Sequence, residues 1–103
     1  MITVTTTYTK PDAPGINFYL EEHPEVFDKL MTLIGNSQYA PLEHDFMVDD
    51  WTNVSVAQFN TREQLTNFLA EIETEIPNFF SNRDAYCEQM GITISRDEKE
   101  DSI

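Results

Sequence analysis

The amino-acid sequence predicts an α+β fold with the element order β-α-β-β-α-β. Three observations lead to this prediction. Four stretches alternate between apolar and polar residues, which is typical of half-buried strands. The segments between them carry apolar residues at helical spacing. The chain has 103 residues, which is enough for one core and too short for two.

The first strand is predicted over residues 2–9. Its odd-numbered positions are all threonine and form one face. The other face consists of Ile2, Val4, Thr6 and Tyr8. Branched and aromatic side chains favour strands because they fit a pleated, half-buried surface. Two prolines and a glycine in residues 10–15 end the strand.

The first helix is predicted over residues 24–34. Pro24 suits the first turn, where its missing N–H is not needed. A single apolar stripe runs along the helix, formed by Val26, Phe27, Leu30, Met31 and Ile34. Gly35 or Asn36 ends the helix, and residues 18–20 before it predict a short extra turn.

The second and third strands are predicted over residues 43–49 and 53–59. Phe46 and Val48 share one face of the second strand. The short, polar segment 49–52 between the two strands favours a hairpin.

A second helical region follows the hairpin. Thr61 and Gln64 form a capping box, in which the threonine hydroxyl accepts from the Gln64 amide and the glutamine side chain reaches back. The apolar stripe of this helix consists of Leu65, Phe68, Leu69, Ile72 and Ile76. Pro77 breaks the helix, a second piece is predicted over residues 79–89, and Gly91 caps it.

The last strand is predicted over residues 92–96, and the charged residues 97–103 are expected to form an acidic tail. Residues 1–96 then make a single domain. This is the ferredoxin-like, split βαβ arrangement. Because both crossovers should be right-handed, both helices lie on one face of a four-stranded antiparallel sheet.

The charge of the chain excludes several classes of partner. Nineteen Asp and Glu residues oppose six Lys and Arg residues, for a net charge of −13. Such a surface repels phosphate backbones and anionic lipids, so no nucleic-acid or membrane partner is expected. The sequence has no apolar run long enough for a membrane span, no signal-peptide pattern and a single cysteine, Cys87. A reducing, cytoplasmic location is therefore expected.

The segment 54–65 carries a resemblance to known proteins. It contains a strand that ends in Phe59, the capping Thr61 and then an acidic amphipathic helix. This segment resembles the third strand and second helix of the dimeric α+β barrel superfamily, which includes antibiotic-biosynthesis monooxygenases and stress-responsive barrel proteins. The element order extends the resemblance over about residues 1–96.

The resemblance implies a homodimer, in which two sheets pack face to face into a barrel, and a ligand cleft between each sheet and its helices. It implies no single activity, because the superfamily holds several reaction types. Haem-degrading members carry Trp where this chain has Phe59, and Asn on the first strand where it has only Thr and Tyr. No haem or other cofactor is therefore expected.

His44 is the candidate for acid–base chemistry, because an imidazole titrates near neutral pH. Alternation places His44 on the face of Phe46 and Val48 and sends Glu43 and Asp45 to the opposite face. A neighbouring carboxylate is expected to raise the His44 pKa. The alternative interpretation is an exposed histidine at a strand end. The two histidines and Asp45 lack the spacing of a known metal site, so no metal is expected.

Candidate ligand-binding residues are the aromatic and basic residues expected near the cleft: Tyr8, Tyr19, Phe59 and Arg83. Arg83 suits an anionic group, although an ion pair with Asp84 or Glu88 on the helix surface is the alternative. Trp51 is expected in the core or in a dimer interface.

These residues predict a dimeric protein that binds a small organic ligand in the cleft, as an oxygenase or isomerase without a cofactor. Two alternatives remain at this stage. One is a dimeric interaction or regulatory module without catalysis, and the other is an acidic decoy for a basic partner. An open cleft of several hundred Å³ favours the first function, and a filled cleft favours the interaction module.

Overall fold

The computed structural model describes residues 1–12 and 15–101, and the predicted fold class is confirmed. Each crossover is a pair of helices. The elements are β1 (Ile2–Thr9), α1 (Tyr19–Glu22), α2 (Pro24–Asn36), β2 (Glu43–Val48), β3 (Thr52–Phe59), α3 (Arg62–Glu75), α4 (Phe79–Met90) and β4 (Thr93–Glu100). Residues 13–14 of the predicted first turn and residues 102–103 of the predicted tail lie outside the described residues.

The four strands form one antiparallel sheet in the order β2-β3-β1-β4. Tyr8 in the central strand β1 lies opposite Asn53 in β3 and Ile94 in β4. This register settles which side chains share a face. The face covered by the helices includes the even positions of β1 and β2 and the odd positions of β3, as the alternation in β1 predicted.

The predicted end of the last strand was wrong. β4 runs to Glu100, so residues 97–100 belong to the sheet and not to a tail. Their backbones pair with β1, where Asp97 lies opposite Thr5 and Glu100 opposite Ile2. Glu98 also lies 2.7 Å from a guanidinium nitrogen of Arg62 on α3, which ties the strand to the helix layer. Backbone pairing thus overrides the low strand preference of charged side chains.

The core lies between the sheet and the α3–α4 pair. Its fully buried members are Ile2, Val4, Tyr19, Phe59, Leu65, Phe68, Ile72, Ile76 and Phe79. Cys87 is also buried, as part of a smaller cluster beside Phe18 and Ile92. The apolar stripe predicted for α2 packs less tightly. Phe27 is exposed, and none of the thirteen residues of α2, all of them described, is fully buried.

The predicted capping box begins α3 in a modified form. The Thr61 hydroxyl accepts from the Gln64 amide at 3.0 Å, as expected. The Gln64 side chain, however, accepts from the Asn60 amide, one residue before the cap. Its Nε2 donates to the carbonyl of Ala40 at 2.7 Å. Gln64 therefore also connects α3 to the segment between α2 and β2.

None of the helices in residues 1–12 and 15–101 covers the second face of the sheet. Four threonines of β1 lie there beside Val54 and Val56 of β3, and Met47 of β2 is 59% exposed on the same side. Charged residues surround this apolar strip, namely Glu43, Asp45, Asp97 and Lys99. We call this side the open face. Within the described residues, none of the helices has the length and apolar character that crossing a bilayer requires.

Candidate functional site

A cavity of about 150 Å³ lies between the covered face of the sheet and the four helices. Engineered apolar cavities of about this volume accept benzene, whereas drug-sized ligands occupy about 300 Å³ or more. The cleft is therefore neither filled nor as large as several hundred Å³. It has room for about one six-membered ring.

Small side chains on the sheet make this space. Thr6 in β1 and Ser55 in β3 lie directly opposite each other in the middle of the covered face, and both line the cavity. Four residues away along each strand, the pair Ile2 and Phe59 fills the corresponding space, and both residues are buried. Leu30 of α2 lines the cavity from the helix side and is only partly buried.

A polar group occupies the end of the cavity where α4 meets β1. Nη1 of Arg83 donates to the Tyr8 hydroxyl at 3.2 Å. Nε and Nη2 of Arg83 donate to one carboxylate oxygen of Asp84, at 3.1 and 3.0 Å. The ion pair expected for Arg83 is thus present, and the same side chain also lines the cavity with its guanidinium 5.1 Å from the Phe80 ring centre.

The pKa values of this pair keep both groups protonated at neutral pH. Burial raises the pKa of Tyr8, and the nearby Arg83 cation only partly opposes this. Burial also disfavours the charged form of Arg83, but Tyr8 and Asp84 outweigh it and raise the pKa of the guanidinium. The site therefore presents a neutral phenol and a cation, both hydrogen-bond donors.

Asn53 completes this polar end. It lies directly opposite Tyr8, lines the cavity and is 9% exposed. Its Oδ1 is buried and accepts no hydrogen bond from the described residues. Such an orphaned buried acceptor is costly and rare in folded proteins. Asn53 was not among the site residues predicted from the sequence. Alternation places it on the strand face opposite Val54 and Val56, but its pairing with Tyr8 is what shows that this face is the inward one.

His44 lines the cavity from β2, on the same face as Phe46. Its Nε2 lies 3.1 Å from the Ser55 hydroxyl, and its ring packs edge-on against Phe46 with a centre distance of 4.4 Å. Burial lowers the pKa of His44, and Asp45 only partly opposes this. The neighbouring carboxylate thus raises the pKa of His44 as expected, but the effect of burial is larger, so the net shift is downward. The polar partner beside the ring is Ser55, and Tyr8 lies one diagonal step further along the sheet.

The other predicted residues occupy different positions. Tyr19 lines the cavity from α1 and packs edge-on against Phe79, with ring centres 6.2 Å apart. Phe59 is 2% exposed and packs against Phe68, so it forms the floor of the cleft. Trp51 lies outside the cleft and is 47% exposed, so the core alternative for this residue was wrong and its place in a dimer interface stays a prediction.

The charged side chains that line the cleft are basic, although the chain as a whole is acidic. Two of the six basic residues, Arg83 and Arg96, line the cavity. Among the residues that the structure describes, none of the nineteen acidic side chains lines it. The same part of the chain contains no cluster of His, Cys, Asp or Glu arranged to hold a metal ion.

Comparison with known proteins confirms the fold. No protein-family model matches the chain, and no curated protein matches it by sequence. A solved structure from Deinococcus radiodurans, assigned as an antibiotic biosynthesis monooxygenase, superposes with a TM-score of 0.62. The alignment covers 100% of this chain and 94% of that chain at 11% identity. The two proteins share a fold, as the resemblance of segment 54–65 predicted.

Proposed function

We propose that this protein binds a small organic ligand, about one ring in size, in the cleft between its sheet and helices. The observation that supports this proposal is the cavity of about 150 Å³ lined by apolar walls and by polar groups from all four strands and α4. The structural neighbour, described as an antibiotic biosynthesis monooxygenase, is consistent with a role in small-molecule chemistry.

Simple energetics indicate what such a ligand needs. Burying about 150 Å² of ring surface contributes roughly 4 kcal/mol, which corresponds to a dissociation constant of about 1 mM before the costs of association. An apolar ring alone therefore binds weakly. The polar groups Tyr8, Asn53, Arg83 and His44 provide the directional contacts that raise affinity and orient the ligand.

We assign His44 the role of general base. Its lowered pKa keeps the imidazole neutral at neutral pH, so that one ring nitrogen is free to accept a proton. Isomerisation and cofactor-independent oxygenation both begin with the removal of a proton from an activated substrate. The surrounding aromatic walls exclude water from this step.

Exchange of an acidic C–H with solvent tests this role. Phenylpyruvate, which has one ring and an acidic methylene, serves as the probe in D₂O, with NMR detection. The wild-type protein should accelerate exchange, and His44→Gln should bind the probe without accelerating it. Asp45→Asn, on the open face, is the matched control and should retain the acceleration. Equal exchange rates with wild type and His44→Gln would remove His44 from the mechanism.

We further propose that the chain forms a homodimer through its open face. Val54, Val56 and Met47 form an apolar strip there that the chain itself leaves uncovered. Because Glu43 and Asp45 flank this strip, added salt should strengthen the dimer by screening their repulsion. Light scattering should report twice the 11.9 kDa chain mass, and Val56→Lys should give the monomer.

The alternative function is a dimeric interaction module without catalysis. It predicts the same dimer but no binding of one-ring compounds in the cleft. A monomer at micromolar concentration would contradict the dimer and leave the ligand proposal to be decided by binding alone.

A further inference from the structure

We infer that the ligand of this cleft is a small monocarboxylate that also carries a hydrogen-bond donor. Its carboxylate lies at the polar end formed by Tyr8 and Arg83, and its donor faces Asn53. This inference rests on the proposed binding in the cleft and names the class of ligand. Three independent features of the site support it.

The first feature is the reversal of charge inside the cleft. A chain with a net charge of −13 repels anions at its surface. The cavity is nevertheless lined by two guanidinium groups, and the carboxylates they pair with, Asp84 for Arg83 and Glu98 for Arg96, do not line it. Because Arg83 is the more buried of the two, with an 18% exposed side chain, its charge is the less screened by solvent. A ligand in the cavity therefore meets the cationic partner of each ion pair and not the anionic partner.

The second feature is the supply of free donors at this end. The Arg83 guanidinium has five N–H groups, and three of them make the bonds to Tyr8 and Asp84 described above. Two N–H groups of Arg83 therefore remain for a ligand. Tyr8 accepts from Arg83 through its hydroxyl oxygen, so its own proton is free to donate. Converging N–H and O–H donors match the two oxygens of a carboxylate.

The third feature is the orphaned acceptor of Asn53. Asn53 lines the cavity, and its Oδ1 is buried without a donor among the described residues. Asn53 and Tyr8 are directly opposite each other on neighbouring strands, where Cβ atoms lie about 5 Å apart. A hydroxyl or N–H on the same ligand, close to its carboxylate, satisfies Oδ1 after a small rotation of the side chain. A simple carboxylate leaves it unsatisfied.

The volume of the cavity sets the size of the remaining part of the ligand. About 150 Å³ accepts one ring or a short branched chain and excludes fused polycyclic compounds. His44 bonds to Ser55, which is the diagonal neighbour of Tyr8 across two strands, at about 7–8 Å. A one-ring ligand anchored at Arg83 therefore reaches the imidazole with its far side.

A panel of four one-ring compounds tests the inference: toluene, benzamide, benzoate and meta-hydroxybenzoate. Dissociation constants are measured by calorimetry or by NMR titration. Benzoate should bind at least about tenfold more tightly than the isosteric, neutral benzamide, as expected for hydrogen bonds to a charged group. The hydroxyl of meta-hydroxybenzoate should strengthen binding further by satisfying Asn53.

Matched variants assign each preference to its residue. Arg83→Gln should abolish the preference for benzoate over benzamide, whereas Arg62→Gln, outside the cleft, should retain it. Asn53→Leu should abolish the gain from the hydroxyl and leave the binding of benzoate nearly unchanged. Melting temperatures accompany each measurement, and Arg83→Lys, which keeps the charge, covers the case in which Arg83→Gln fails to fold.

The outcomes separate this inference from the proposed function. Equal binding of toluene, benzamide and benzoate would overturn the inference and leave a ligand-binding cleft. A benzoate preference that survives Arg83→Gln and disappears in Arg96→Gln would also overturn it. Failure of all four compounds to bind at millimolar concentration would overturn both.

Discussion

The covered face of the sheet has two halves that share the same strands and differ in the size of their side chains. In the packed half, Ile2 and Phe59 lie opposite each other under Leu65, and all three are no more than 2% exposed. In the hollow half, Thr6 lies opposite Ser55, and a cavity stands above them. The packed half stabilises the fold, whereas the hollow half is less well packed and forms the ligand cleft.

The hollow half also carries an energetic cost that the packed half does not. Its walls lose dispersion contacts wherever the cavity leaves no neighbouring atom. Asn53 leaves an acceptor unsatisfied inside the protein. Native proteins retain features of this kind mainly at functional sites, where a ligand supplies the missing contacts.

The largest expected effect lies in the packed half. Leu65→Ala should lower the free energy of unfolding by about 2–5 kcal/mol, because a fully buried leucine leaves a cavity on truncation. Leu30→Ala, in the roof of the hollow half, is the matched control and should cost clearly less, since its side chain is only partly buried. Urea denaturation measures both. A Leu30→Ala cost equal to that of Leu65→Ala would contradict the division of the face into two halves.

The second prediction concerns the hollow half and has the opposite sign. Asn53→Leu should raise the free energy of unfolding by about 1 kcal/mol, because it removes an unsatisfied buried acceptor and adds apolar contact. The same urea denaturation checks it. A loss of stability would mean that the asparagine makes structural bonds and is not reserved for a ligand.

A smaller effect is expected from the titration of His44. Burial lowers its pKa in the folded protein, so the unfolded chain binds more protons when the pH falls below the ordinary value of 6.5. Stability should therefore decrease as the pH falls from 6.5 toward the folded-state pKa. In the variant His44→Gln, the melting temperature should depend less on pH in this window. An unchanged slope in the variant would show that His44 is not the responsible group.

The smallest effect concerns the edge of the sheet beyond both halves. The hydrogen bond from Arg62 lowers the pKa of Glu98. The contribution of Glu98 to stability is therefore present above the ordinary carboxyl value near 4.5 and is lost as the pH falls below it. Glu98→Gln should speed amide hydrogen exchange in the last residues of β4 and leave the melting temperature nearly unchanged. Unaltered exchange there would mean that backbone pairing alone holds the strand end.

The fold was predictable because its elements are periodic. Alternation in residues 2–9 and the apolar stripe of α3 indicate which side chains face the core. The register of β1 confirms the first, and the buried residues of α3 confirm the second. The end of β4 was not predictable, since residues 97–100 resemble a charged tail until β1 and Arg62 provide their partners.

The site was only partly predictable, for a different physical reason. Sequence patterns indicate which way Tyr8 and His44 point but not whether the space they face is filled. The hollow arises from Thr6 and Ser55 meeting across two strands, which depends on register. Asn53 is a polar residue in a strand of mixed character, and only its pairing with Tyr8 reveals that it points inward.

The most direct test of the central claim is an NMR titration of the ¹⁵N-labelled protein with benzyl alcohol, a neutral one-ring compound that does not depend on the charge of the ligand. A binding cleft predicts saturable shifts confined to the amides around the cavity, such as those of Thr6, Ser55, Asn53 and Leu30. The amides of Ile2 and Ile76, which are buried but do not line the cavity, should be unaffected. Shifts that do not saturate, or that are confined to the open face, would contradict the assignment of the hollow half as a ligand site.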